Sequence, residues 1–214
     1  MRNKNRETAF FIACLLSHRE IAVILLSYGA DPWIANSSNR DACSVAAQTG
    51  NAKILSVLLN CNTVSAAYPA SMYDNQSLHY SIAGGSLQCA KLLLGHGWSV
   101  NSTDSSGRTP LMIAAINGRT EIIHALLSTS KIVNTRLECQ QGRNALVYAV
   151  RACNKAVVSK LLELDAHWAF NIRNVLDAAF RDVLRENQQQ QRGPFQESQP
   201  VLKDMIKLGK YYYF

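Results

Sequence analysis

Thr109-Pro110-Leu111-Met112-Ile113-Ala114-Ala115, followed by Gly118, by Glu121-Ile122-Ile123 and by Leu126-Leu127, spells out one helix, a turn and a second helix. Thr109 offers a side-chain oxygen that accepts a hydrogen bond from the free N–H groups of a first helical turn, so a helix starts there. Five positions on, Ala114 is small, as close packing between neighbouring helices requires. Nine positions on, Gly118 suits a helix end or a tight turn. The first helix therefore spans about two turns. A second apolar pattern begins at Ile122 and runs through the leucine doublet with helical spacing.

The same pattern recurs along the chain. Leucine doublets stand at Leu25-Leu26, Leu58-Leu59, Leu93-Leu94, Leu126-Leu127 and Leu161-Leu162, spaced by 33, 35, 33 and 35 residues. The matching first positions are Thr8, Asp41, Gln76, Thr109 and Asn144, four of which are helix-capping types. The small position holds Ala13, Ala46, Ser81, Ala114 and Ala149, and the turn position Ser17, Gly50, Gly85, Gly118 and Cys153. Second helices begin at Ile21, Ile54, Cys89, Ile122 and Val157, and Gly29-Ala30-Asp31 and Gly97-Trp98-Ser99-Val100-Asn101 form turns behind them. A unit of this kind cannot cover its own apolar sides, so neighbours must stack. Each buried leucine contributes roughly 1.5–3 kcal/mol before entropy.

Together, Gly107-Arg108-Thr109-Pro110-Leu111-Met112-Ile113-Ala114-Ala115, Gly118, the doublets, Tyr28-Gly29-Ala30-Asp31 and Leu78-His79 resemble the ankyrin repeat, whose signature is T-P-L-H-x-A followed by a glycine. The resemblance implies an all-α solenoid of stacked helix-turn-helix units joined by hairpin-like loops. It covers residues 1–170 as five units, at about 3–36, 37–70, 71–103, 104–138 and 139–170. The family's histidine survives only as His79; Phe11, Ser44, Met112 and Val147 fill its place elsewhere, so the motif's Thr–His hydrogen bond is mostly absent and packing is expected to hold those units. Residues 171–214 are expected to form a degenerate sixth unit or a helical cap. Its helices would be Asn174-Val175-Leu176-Asp177-Ala178-Ala179 and Val201 to Gly209, around a mobile glutamine-rich insertion at 185–199.

Composition agrees with a folded chain and removes several classes. Of 214 residues 48% are apolar and 17% charged, ample for a core. The longest apolar run, Ala9 to Leu16, is far short of the roughly 18–20 residues of a membrane-spanning helix. It follows a basic start, yet Ser17-His18-Arg19 supplies no small-x-small cleavage site, so a signal peptide is disfavoured. The cysteines at 14, 43, 61, 89, 139 and 153 form no C-x-x-C pair or zinc-type spacing and read as free thiols of an intracellular chain, cytoplasmic or nuclear. Cys14, Cys43 and Cys89 stand at positions expected to be buried. No metal or cofactor is expected.

In the family that this chain resembles, loop tips and first helices line a concave face, which implies where a protein partner sits. Aromatic and arginine residues anchor interfaces most often, making Tyr73, Arg108, Arg143 and Arg151 the leading candidates, with Met72, Gln48, Ile116, Asn117 and Gln141 beside them. The net charge of +7 raises the question of nucleic acid. Arg40, Arg108 and Arg143 share one tip position, but Asp74, Asp104 and Glu138 interrupt any basic column. Lys53, Lys91, Arg119 and Lys155 fall on second helices. An acidic protein surface suits these charges better than nucleic acid.

Catalysis has little support. Gly84-Gly85 lies within a helix-turn-helix unit rather than a phosphate loop, and His18, His79, His96, His124 and His167 are dispersed. Asn101 and Asn134 occupy the hairpin position where asparagines of the resembled family can be hydroxylated by a dioxygenase, which the resemblance marks as candidate modification sites. The first helix, Phe10-Phe11-Ile12-Ala13-Cys14-Leu15-Leu16, is apolar nearly all round, whereas a terminal unit should show a polar outer face. Self-association or contact with a parent chain through the first unit is expected to cover it.

Overall fold

The structure, a computed structural model, describes residues 2–60, 76–128 and 133–164. The expected sixth unit or cap at 171–214, and its insertion, lie outside these residues. The described residues form ten α-helices and no strand: α1 Ala9–Leu15, α2 Arg19–Ser27, α3 Ala42–Gln48, α4 Ala52–Asn60, α5 Gln76–Ala83, α6 Leu87–Gly95, α7 Pro110–Ile116, α8 Thr120–Ser128, α9 Ala145–Arg151 and α10 Lys155–Leu164. No helix among them is long and apolar enough to cross a membrane. The chain divides into two compact units, Met1–Asp104 and Ser105–Phe214. In the first, α1, α3 and α5 pack in one row and α2, α4 and α6 in a second. In the other, α7 packs on α9 and α8 on α10.

The first helices start where side-chain oxygens are available. Thr8 accepts from Phe11 N at 3.1 Å, Asp41 from Ser44 N at 2.7 Å, Thr109 from Met112 N at 3.3 Å and Asn144 from Val147 N at 3.0 Å. Each bond satisfies one of the orphan donors of a helical first turn. Gln76 is not a cap but the first residue of α5. At the position of the missing histidine, Ser44 Oγ accepts from Asp41 N at 3.3 Å and Met112 Sδ from Thr109 N at 3.4 Å. This corrects the expectation that packing alone replaces the motif's hydrogen bond, because two units return a bond to the capping residue's own N–H.

Between the helices of a pair the chain turns through the left-handed region at the same place each time, with φ of 61° at Ser17, 73° at Gly50, 80° at Gly85, 63° at Gly118 and 52° at Cys153. Asn51, Ser86 and Asn154 then cap α4, α6 and α10 through bonds from Ile54 N, Cys89 N and Val157 N. The small position is buried throughout, as is the first leucine of each doublet from Leu58 onward. Gly84 is held without a side chain because a Cβ there would collide with the Gln48 carbonyl oxygen of the preceding pair.

The first pair meets the expectation for it only in part. Phe10, Phe11, Ala13 and Cys14 are buried, so α1 does not expose its aromatic pair. The exposed apolar surface is Leu15 and Leu16 at the end of that stretch together with Ile21, Val23, Ile24 and Tyr28, and Leu25 and Leu26 are only half-buried. The reason is the row structure: α2 packs on α1 and on α4, leaving its remaining side uncovered by any described residue.

Candidate interaction surface

The tips ahead of the first helices are short turns closed by their own backbone. In the first unit, Asn3 Oδ1 accepts from Asn5 N and Glu7 N, both at 2.9 Å, and Asn36 Oδ1 accepts from Ser38 N at 2.9 Å and Arg40 N at 3.0 Å. Asn3 N donates to Glu7 O at 3.0 Å, and Asn36 N to Arg40 O at 2.9 Å. Ser37 N also donates to Asn5 O at 2.9 Å, tying the second tip to the first. In the other unit Gln140 N donates to Ser106 O at 3.1 Å and Gln140 Nε2 to Ser105 O at 3.0 Å. Gly107, at φ 75°, lies so close that a Cβ would meet Gln140 N at 3.1 Å. Side chains on such tips are presented from a framework that is already ordered, which lowers the entropy cost of binding.

Cys139 stands at the tip position held by Asn3, Asn36 and Asp104 in other repeats. Burial raises its thiol pKa, but the Tyr148 hydroxyl at 3.3 Å, the backbone N–H groups of Gln141 and Arg143 and the Arg143 charge outweigh that, leaving it below the ordinary value. Tyr148 is pushed up by its own burial and by the Cys139 sulfur. The core thiols go the other way: burial pushes Cys14 up to about 12 and raises Cys43 and Cys89 as well. Cys14, Cys43, Cys89, Cys139 and Cys153 are all free. The first three are buried as their positions led one to expect.

Most of the sequence-derived candidates fall in the second compact unit. Arg143 is half-buried and donates from Nη1 to Gln141 Oε1 at 2.7 Å, so these two are brought together. Arg108 is half-buried on the neighbouring tip, directly after Gly107. Ile116 ends α7, half-buried, and Asn117 is exposed at its C-cap, donating back to Ile113 O at 2.8 Å. Arg151 ends α9 with one guanidinium nitrogen buried, so it is less open to a partner than its place in the sequence suggests. Asn101 is half-buried, whereas Asn134 is exposed and accepts from Arg136 N at 3.0 Å. Tyr73 and Met72 lie outside the described residues.

In the first unit Gln48 does not stand alone. It is exposed at the end of α3 and accepts a hydrogen bond from Arg40 Nη2, and the Arg40 guanidinium lies 5.0 Å from the centroid of the Tyr80 ring on α5. Tyr80 in turn donates from its hydroxyl to Gln76 Oε1 at 3.1 Å. Tyr80 escaped the sequence reading. Its signal was a tyrosine at the place where Ile12, Val45 and Ile113 stand in other units.

Away from the tips, a groove of about 260 Å³ runs between α8 and α10, lined by Thr120, Glu121, His124, Ser159 and Lys160 among others. Among the described residues no group of three or more His, Cys, Asp or Glu side chains converges to hold a metal ion.

Comparison with known proteins agrees with the repeat geometry. Residues 78–172 match a family model described as ankyrin repeats in three copies. The chain is similar to the nuclear factor NF-kappa-B p105 subunit of Gallus gallus, 33% identical over 116 residues, or 53% of this chain and 12% of that protein. It is also similar to the E3 ubiquitin-protein ligase XBAT33 of Arabidopsis thaliana, 34% identical over 124 residues, covering 56% of this chain and 24% of that one. The probable E3 ubiquitin-protein ligase XBOS31 of Oryza sativa subsp. japonica is 31% identical over 134 residues, 58% of this chain and 30% of that protein. The chain thus spans less than a third of the length of these relatives.

Proposed function

We propose that this chain, which belongs to the ankyrin-repeat family, is the protein-recognition segment of a larger assembly of the ubiquitin-ligase kind. The helix-pair stack is a non-catalytic scaffold, so the chain supplies binding and leaves chemistry to another part of the assembly. The observation that carries this reading is the division of labour within each pair. Framework residues such as Ala114, Leu126, Ala149 and Leu161 are buried, while Arg108, Ile116, Asn117, Gln141 and Arg143 stay at least partly open on or behind ordered tips. Tyr73 and Met72 are proposed as partner contacts on their place in the repeat alone. Similarity to two ubiquitin-protein ligases supports the ligase context. Free thiols support work inside the cell, in cytoplasm or nucleus. The exposed apolar side of α2 supports the contact through the first repeat that its sequence leads one to expect.

A photo-crosslinking residue placed at Gln141, in protein expressed in its native cells, tests both parts. The expected result is a captured protein whose ubiquitin conjugates decline when Arg143 is changed to Glu. Capture from Lys155 on α10 but not from Gln141 would move the surface to the second helices. Capture at Gln141 with ubiquitin conjugates unchanged would leave the recognition module standing and remove the ligase context.

A further inference from the structure

We infer that Arg40, stacked on Tyr80 and braced by Gln48, is the point at which the first compact unit grips a carboxylate side chain on an acidic segment of its protein partner, an assignment that rests on the tip-face reading above. Three observations lead there. The guanidinium is fixed on two sides, by the ring of Tyr80 at 5.0 Å and by the Gln48 side-chain oxygen, while Tyr80 is itself tethered to Gln76 at 3.1 Å. A planar donor held in one orientation is preorganised for the two oxygens of a carboxylate.

The Arg40 charge is also unsatisfied inside the unit. Its Nε is buried without a hydrogen-bond partner, and among the described residues Arg40 forms no ion pair with a carboxylate. The adjacent Asp41 receives the Ser44 N–H as the cap of α3. That Nε is closed to an incoming group, so an anion meets the Nη edge of the guanidinium and offsets the desolvation of the cation as a whole.

The surroundings favour the same sign of partner. The first tip, hydrogen-bonded to the Arg40 tip through Ser37 and Asn5, exposes Arg2, Lys4 and Arg6. Its one acid, Glu7, is engaged by Asn3 at 2.7 Å. A protein carboxylate is preferred over a nucleic-acid phosphate because the guanidinium is oriented by the Tyr80 ring and the Gln48 side-chain oxygen, and a fixed planar fork matches the two oxygens of a carboxylate.

The test uses random dodecapeptides displayed on phage and selected against the full chain. Enriched sequences should carry Asp or Glu, and a synthetic copy of the strongest should bind by fluorescence anisotropy. Arg40→Gln should weaken it at least tenfold, and Arg40→Lys and Tyr80→Ala several-fold, because a lysine keeps the charge but not the stacked fork. Lys53→Gln removes the same charge from α4 and should change nothing. Unaltered thermal melts certify the folded state of each variant, and Arg40→Lys keeps the question answerable should Tyr80→Ala unfold. The assignment is overturned if enriched peptides are not acidic, or if Arg40→Gln and Lys53→Gln weaken binding equally. It is also overturned if a 20-residue single-stranded DNA binds more tightly than the peptide in an Arg40-dependent way. Acidic peptides lost on changing Arg108 and Arg143 but kept by Arg40→Gln would sink this assignment and spare the tip-face reading; with no peptide enriched, both fall.

Discussion

Cys153 and Ser17 sit at φ 52° and 61°, a region that L side chains enter only at a cost of roughly 1–2 kcal/mol. The three equivalent positions are Gly50, Gly85 and Gly118, so the turn was legible from its glycines, and the two exceptions mark residual strain. Cys153→Gly should therefore stabilise the chain by about 0.5–1 kcal/mol in urea unfolding, after the added freedom of the unfolded glycine is subtracted. The reverse change at Gly118 should do harm. A Cβ there would meet Asn154 Nδ2 at 2.5 Å and disturb the residue that caps α10, so Gly118→Ala should cost about 1–3 kcal/mol. Cys139 makes a pH-dependent prediction. Its thiol pKa is lower folded than in a free chain, so its contribution to stability is present above the ordinary thiol value of 9.0 and disappears as pH falls through the depressed folded value. The stability difference between the native chain and Cys139→Ser should accordingly grow from pH 7 to pH 9; a constant difference would contradict the thiolate-favouring tip. Nothing in the sequence revealed this, because the sulfur's partners are backbone N–H groups and a tyrosine nine residues away.

At the scale of the helices, starts and stops were the most readable features, since capping depends on one side chain and the next few backbone groups. Thr8, Asp41, Thr109 and Asn144 all cap as their chemistry requires. Asn144→Ala should lower stability by about 1 kcal/mol, measured by chemical denaturation. Leu126, fully buried in α8, is a stronger case: Leu126→Ala should cost about 2–5 kcal/mol, and an unchanged melting temperature would contradict the core as assigned. What periodicity could not give was which faces find neighbours. The doublet at Leu25-Leu26 looks like the others in sequence, yet it is half-buried and its helix exposes Ile21, Val23 and Ile24, because burial depends on the pair stacked beside it. The bonds from Asp41 N to Ser44 and from Thr109 N to Met112 were likewise hidden, since neither residue resembles the family's histidine.

For the molecule as a whole, the repeat period made the stacking legible before any coordinate, and helix rows of the expected kind are present in each compact unit. The binding surface was legible only in part. Tip positions follow from the repeat, so Arg108, Gln141 and Arg143 could be named. Pairings such as Arg40 with Tyr80 arise between neighbouring helix pairs of the first compact unit and depend on side-chain reach that spacing does not encode. Buried framework residues hold the stack, and tip residues are proposed to choose the partner. The most direct test is a quantitative pull-down from native cells, comparing the chain with an Arg108→Glu, Arg143→Glu variant whose thermal melt is unchanged. A protein partner captured by the native chain and lost from the variant is the expected outcome; the same partner captured equally by both would remove the tip residues from recognition.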